Sequence, residues 1–103
     1  MARFDVYRSP LDDERHHTPY WLDVQADHLS QLATRVVVPL CRIGSVRPFE
    51  RLNPIVVVDG VSLFADTSNL GTFPKQWLRQ PVATLREQRF VIEDALDFLL
   101  TGH

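Results

Sequence analysis

The clearest hydrophobic pattern in the chain runs from Asn53 to Phe64. It reads Asn-Pro-Ile-Val-Val-Val, then Asp-Gly, then Val-Ser-Leu-Phe. Two β-branched runs flank an Asp-Gly pair, the composition of a type I′ hairpin turn, which needs positive φ at both central residues. Ile55–Val58 is apolar at every position, which predicts a strand covered on both faces. Val61–Phe64 alternates less cleanly and is expected to meet solvent on one side. The same periodicity predicts a first strand over Arg3–Arg8, with Phe4 and Val6 on one side and Asp5 and Tyr7 on the other. Tyr20–Gln25 alternates again. It predicts Tyr20, Leu22 and Val24 toward the core and Trp21, Asp23 and Gln25 outside. Arg35–Leu40 is a further β run closed by Pro39, and a short strand is expected near Leu70–Phe73.

Between these runs, Ser9–Pro19 is a long polar loop carrying Asp12-Asp13-Glu14 and His16-His17. Ala26–Thr34 is a connector with a helical turn around His28–Leu32. Cys41–Leu52 reads as a loop with Arg42, Arg47 and Arg51 set against Glu50. Pro74–Pro81 turns the chain and holds Trp77. The last element is a helix. Thr84-Leu85-Arg86-Glu87 fits a capping box, and Gly102 fits its end. Leu85, Ile92, Leu96 and Leu99 form one stripe, widened by Val91, Ala95, Phe98 and Leu100 to an arc of roughly 200°, twice what one packed face needs. The excess predicts contact with a second copy of the chain. Charge runs partly against the helix dipole, with Arg86 and Arg89 early and Glu93, Asp94 and Asp97 late. A solvated face with Arg89–Glu93 as partial compensation and an acidic end kept for a basic partner are both compatible with that pattern.

Composition narrows the class. A length of 103 residues suits a single domain spanning 1–103, mainly β with one C-terminal helix, burying about two thirds of its unfolded surface. The net charge of −2 speaks against nonspecific binding to phosphate backbones as the main task, and no direct sequence-specific nucleic-acid binding is expected. Cys41 alone precludes an internal disulfide and fits a reducing cytoplasm. No signal-peptide core or membrane-length apolar run is present, so a soluble cytoplasmic protein without membrane attachment is expected.

Catalytic chemistry finds little footing. His16-His17, His28 and His103 lack the spacing of a metal site, so neither metal nor cofactor is expected. There is no phosphate-cradling glycine loop and no Gly-x-Ser-x-Gly elbow. Asp12-Asp13-Glu14 reads as a solvated loop, Cys41 as a small core or near-surface thiol, and Trp21 and Trp77 as core or interface anchors, with an interface favoured for Trp21. A non-enzymatic protein is expected.

Several segments, in order along the whole chain, resemble the CcdB family of toxins from type II toxin–antitoxin modules. Phe4-Asp5-Val6-Tyr7 looks like the family's opening strand. Leu22-Asp23-Val24-Gln25-Ala26-Asp27 is similar to its Val-Asp-Val-Gln-Ser-Asp signature, and Arg35-Val36-Val37-Val38-Pro39-Leu40 to its Arg-hydrophobic-Val-Ile-Pro-Leu strand. Asn53–Val58, Thr72-Phe73-Pro74 and Ala95–Gly102 resemble its hairpin strand, its Ser-Val-Pro and its closing helix. The resemblance implies an SH3-like barrel of antiparallel strands with a small side sheet and a C-terminal helix. It implies a homodimer that binds the A subunit of DNA gyrase, traps the enzyme on cleaved DNA, and is silenced by a CcdA-like antitoxin. Carried over position by position, the gyrase surface is His28, Leu29, Asp97, Leu100, Thr101, Gly102 and His103. His103 stands where the family normally has Ile, and His28 where it has an apolar residue. The antitoxin surface falls on the loops Arg8–His17 and Arg42–Arg51, with Arg8, Asp12, Arg15, Arg42, Arg47 and Arg51 as its charged residues. Two other readings stay open: a detoxified member that binds antitoxin alone, and a MazF-type ribonuclease on the same barrel.

Overall fold

The computed structural model describes residues 2–44 and 47–102. Among them seven strands form one antiparallel sheet: β1 (Asp5–Arg8), β2 (Tyr20–Asp23), β3 (Thr34–Arg42), β4 (Ile55–Val58), β5 (Val61–Ala65), β6 (Gly71–Pro74) and β7 (Ala83–Thr84). One helix, α1 (Arg89–Thr101), follows. The order β4-β5-β3-β2-β1-β7, with β6 on the free half of β3, curls the sheet into a nearly closed barrel. The architecture is mainly β with one helix, as the sequence predicts. At the hairpin, Asp59 and Gly60 take φ of 51° and 75°, and Val58 pairs with Val61, the geometry a type I′ turn requires.

β3 carries the sheet. It pairs with β2 along one edge, and along the other with β6 (Thr34–Val37) and then β5 (Leu40–Arg42). The strand expected over Arg35–Leu40 thus runs from Thr34 on to Arg42, and Pro39 does not close it. The Pro39 carbonyl accepts from the Asp66 amide at 2.8 Å, so its missing N–H falls in the gap where β3 changes partner. A proline there removes no ladder bond.

Inside the barrel, Val6, Leu22, Val38, Leu40, Val56, Val58 and Leu63 pack with Leu85 and Ile92 from the last segment. The outer face of β1–β2–β3 is the main correction to the sequence reading. Trp21, Asp23 and Gln25, expected outside, are all buried, Trp21 being only 3% exposed, and Tyr7 on the same face is buried with them. A second cluster of Tyr7, Trp21, Val37 and Leu78, flanked by Leu11 and Phe73, forms here. Leu11 comes from the first long loop and Leu78 from the segment after β6, so two connectors cover this face. Trp21 is thus a core residue and not an interface anchor. Burial, with the Asp5 and Asp23 carboxylates nearby, pushes the Tyr7 phenol up to about 12.

The opposite correction applies to β4. Ile55 and Val57, expected to be covered, are 49% and 47% exposed, while Val56 and Val58 are buried. β4 is an edge strand of the sheet, and its outward groups face no further layer within the chain. Its polar edge is nonetheless closed at Val57. The Gln88 side chain accepts from the Val57 amide at 3.0 Å and donates to the Val57 carbonyl at 3.2 Å. One side-chain amide thus imitates a neighbouring strand, a way of protecting an open edge.

The capping box does not form. Leu85 donates its amide to the Phe4 carbonyl at 2.8 Å, which holds Thr84 at the sheet edge. The Thr84 hydroxyl accepts from Arg86, not Glu87. A 3₁₀ turn over Arg86–Gln88 intervenes, and α1 begins at Arg89 without a side-chain cap. Gly102 ends it in the left-handed conformation, φ 76°, its amide donating to the Phe98 carbonyl. Phe4 is also left-handed, at φ 75°, a strained position for a side chain of its size. Its amide bond to the Asp23 carbonyl at 2.7 Å and its buried ring hold it there.

Asp23 and Arg35 form a wholly buried ion pair. Arg35 Nε and Nη2 both donate to Asp23 Oδ2, at 2.9 and 2.6 Å, and the Gln25 amide donates to Oδ1 at 3.0 Å. Burial pushes the Asp23 carboxyl above its usual range, and the bonds from Arg35 and Gln25 pull it back. Replacing Arg35 alone leaves a carboxylate in the core. Arg35→Met should therefore cost about 3–5 kcal/mol in urea unfolding, and adding Asp23→Leu should recover most of that loss. Gln88→Ala should cost about 1–2 kcal/mol for two bonds and raise aggregation in light scattering by opening the β4 edge.

Candidate functional site

Three surfaces carry the residues singled out above. The first is the exposed end of α1. Ile92 and Ala95 face the core, whereas Phe90, Val91, Phe98 and Leu100 are exposed, Leu100 at 73%. This is the excess apolar arc foreseen in the sequence. Asp97 and Thr101 share the tip. The Thr101 hydroxyl donates back to the Asp97 carbonyl at 2.6 Å, and the αL Gly102 turns the chain off the axis. His103 lies outside the described residues.

The second surface is the 3₁₀ turn Asp27–Leu29, one residue earlier than the predicted His28–Leu32 and with His28 and Leu29 exposed. Arg3 ties this turn to the helix. Its amide donates to Asp27 Oδ1 at 2.8 Å, its Nε to the Val24 carbonyl at 2.9 Å, and its Nη1 lies 3.3 Å from Glu93 Oε2. Glu93 is thus partnered across the fold by Arg3, and the expected Arg89–Glu93 compensation is absent. Arg89 instead donates to the Arg86 carbonyl and sits over the Phe90 ring.

The third surface is rich in arginine. Arg8, Arg15 and Arg42 line an open cavity of about 370 Å³ beside Tyr20 and Asp59. Arg8 and Arg15 also line its neighbour, of about 500 Å³, with Tyr7, Trp77 and Arg79. The antitoxin candidates Arg8, Asp12, Arg15 and Arg42 therefore converge: Asp12 meets Arg15 at 2.6 Å. Arg51 does not join them. Its guanidinium forms a two-pronged pair with Asp94 at 2.8 and 2.9 Å and lies over the Phe98 ring. That pairing holds the Asp94 carboxyl below its usual range. Arg47 is exposed on the same loop.

Asn53 fixes that loop. Its Oδ1 accepts from the Phe49 amide at 3.0 Å, its own amide donates to the Phe49 carbonyl at 2.8 Å, and its Nδ2 donates to the Ala65 carbonyl at 3.1 Å. Sequence reasoning passed over Arg79, Gln76 and Gln80. The signal was a polar run around Trp77 bounded by two prolines. Cys41 is half-buried on β3 beside the Thr18 hydroxyl, and burial raises its thiol. Among the described residues no three His, Cys, Asp or Glu side chains are grouped so as to hold a metal ion. No helix there is long and apolar enough to cross a membrane.

A family model described as CcdB protein matches residues 3–102. No curated protein sequence is a significant match. In fold, the chain is similar to an endoribonuclease in complex with its cognate antitoxin from Mycobacterial species, with TM-score 0.77 at 20% identity, covering 97% of this chain and 94% of that one. It is also similar to an endoribonuclease from Mycobacterial species, with TM-score 0.71 at 20% identity, covering 97% and 90%.

Asn53→Ala removes the side-chain anchor between the arginine-bearing loop and β5. It should cost about 1–3 kcal/mol in urea unfolding, with faster amide hydrogen exchange at Phe49 and no change at Val38 below the global transition.

Proposed function

The chain belongs to the CcdB family, the toxins of toxin–antitoxin modules, and from that premise we propose that it poisons DNA gyrase by binding the A subunit and trapping the cleaved-DNA complex. One observation carries the reading: α1 ends in an exposed apolar tip, with Leu100 at 73% exposure beside Asp97, Thr101 and an αL Gly102. A side chain so placed contributes nothing to the core of a single chain and suits a hot-spot contact with a partner. His28 and Leu29 are exposed on the turn that Arg3 ties to α1 through Glu93, and in this reading they and His103 join the tip in the contact with gyrase. The protein acts by binding and without catalysis.

A homodimer accounts for the remaining apolar surface. Phe90, Val91 and Phe98 on α1, and Ile55 and Val57 on β4, are more exposed than one chain in water favours. The antitoxin engages the arginine surface of Arg8, Arg15 and Arg42, with Asp12 alongside and Arg47 and Arg51 from the second loop. An acidic, extended segment complements it. The setting is cytoplasmic.

The test is a supercoiling and DNA-cleavage assay with purified gyrase. Wild-type chain should accumulate cleaved DNA. Leu100→Asp should weaken this by about tenfold or more without shifting the unfolding midpoint, because Leu100 makes no core contact. Cleavage by His103→Ile but not by wild type would identify a detoxified member. No gyrase binding by either would overturn the reading.

A further inference from the structure

The arginine surface continues beyond the residues assigned to the antitoxin, onto a segment that no family resemblance singles out. Arg79, Trp77, Gln76 and Gln80 lie between β6 and β7 and line the larger cavity opposite Arg8 and Arg15. Every charged residue lining that cavity is an arginine. The adjoining cavity shares Arg8 and Arg15 and adds Arg42, with Asp59 as its one acid. Arg15 is occupied by Asp12 and the Ser9 carbonyl. Arg8, Arg42 and Arg79 form no ion pair among the described residues. Three unpaired guanidinium groups are thus spread over two contiguous cavities, a layout for an anion with repeated charges rather than for one small ion.

The aromatic side of this groove is equally specific. Trp21, deep in the second core cluster, stacks on Phe73 with centroids 4.1 Å apart, and Phe73 leans on Trp77 at 5.8 Å. The ladder of rings runs outward from the core and ends in Trp77, 44% exposed at the cavity. The buried Leu78 beside it anchors the segment. The last rung is a rigid aromatic platform flanked by two amide side chains and two free arginines.

We propose that this groove binds a single-stranded nucleic-acid segment, one base continuing the ladder on Trp77 and successive phosphates meeting Arg79, Arg8 and Arg42. Stacking platforms beside a cationic track are the means by which proteins hold single strands without reading sequence. Gln76 and Gln80 offer donors and acceptors to base edges without favouring one base. The overall charge of −2 does not oppose this. Glu93, Asp94 and Asp97 sit on α1, two of them neutralised by Arg3 and Arg51, and the field that matters is local. An acidic peptide matches the arginines but makes no use of the ladder. The inference is independent of the gyrase reading, since no residue of the helix tip enters it, but it sets a nucleic-acid strand in competition with the antitoxin for Arg8 and Arg42, and the acidic-peptide arm of the test decides between the two occupants.

Fluorescence anisotropy of the whole protein tests it, using labelled eight-nucleotide RNA and DNA single strands, a duplex of the same sequence, and an octaglutamate peptide. Single strands should bind better than the duplex, and the RNA and DNA arms show whether the sugar matters. Three phosphate contacts give a log–log salt slope of about −2. Trp77→Ala should weaken binding by about 5- to 100-fold while Trp77→Phe keeps most of it. Arg8→Ala with Arg79→Ala should weaken it and flatten the slope by about 1.4. Urea midpoints for each variant verify the fold. The proposal is overturned if single strands do not bind, if the duplex binds as well, or if Trp77→Ala has no effect. Octaglutamate displacing the strands at equal concentration would overturn it too and assign the groove to acidic peptides.

Discussion

The buried contact between Asp23 and Arg35 is the constraint around which the barrel is arranged. Two charged side chains with no solvent exposure are costly to bring together, and a well-packed apolar pair of equal volume would hold the strands as well or better. What the pair adds is a fixed relation among three elements. Arg35 lies at the start of β3 and Asp23 at the end of β2. The Asp23 carbonyl receives the amide of the left-handed Phe4, just before β1. Gln25 extends the arrangement, its Oε1 accepting from the Val36 amide and its Nε2 donating to the Leu29 carbonyl. The turn that carries His28 and Leu29 is thereby tied to the same cluster that sets the β2–β3 register. A one-residue slip would place the arginine opposite an apolar side chain and leave both charges unpaired in the core.

The pair shares the outer face of the sheet with Tyr7, Trp21 and Val37, and it is the burial of those apolar groups that offsets the cost of keeping the charges from water. Leu78, with Leu11 beside it, closes this face over Tyr7, Trp21 and Val37 from two connectors whose regular structure is limited to single 3₁₀ turns, Asp12–Glu14 and Lys75–Trp77. Covering the face with connectors rather than with a helix leaves clefts where the connectors part. The arginine-lined cavities are those clefts. Core and candidate site are consequences of one choice, since the segment that seals Trp21 with Leu78 also presents Trp77 outward one residue earlier.

The sequence made the barrel legible where local chemistry and tertiary environment agree. Asp59-Gly60 dictates its own turn, and Gly102 its own helix end. It misled where burial was decided by remote segments. Alternation in Tyr20–Gln25 assigns Trp21, Asp23 and Gln25 to solvent, because periodicity reports two faces and cannot report that loops cover the second. The uniformly apolar Ile55–Val58 assigns burial to residues at a sheet edge for the converse reason. Thr84-Leu85-Arg86-Glu87 satisfies a capping rule locally, but the Leu85 amide bond to Phe4, 81 positions away in the chain, outweighs it. The candidate surfaces were legible as lists of arginines and helix-tip residues. Their grouping was not, since nothing in the order of residues says that Arg8, Arg42 and Arg79 share a groove while Arg51 turns to Asp94.

That turning of Arg51 bears on how a small toxin could be controlled. Arg51 clamps its loop to α1 through Asp94 and Phe98, on the helix whose end carries the proposed gyrase surface. The clamp is solvent-exposed, so water and salt compete with it and its exchange for another carboxylate is nearly balanced. An acidic segment that took Arg51 would leave Asp94 beside Asp97 without a counter-charge and release the loop from the helix. An occupant of the arginine groove proper touches none of these groups. The two basic surfaces, similar in composition, are therefore unequal in consequence: one shares an ion pair with the helix, whereas Arg8, Arg42 and Arg79 in the other form no ion pair with it among the described residues. Coupling between sites follows from differential contacts in the two states and not from proximity, and here the contact that differs is a single guanidinium.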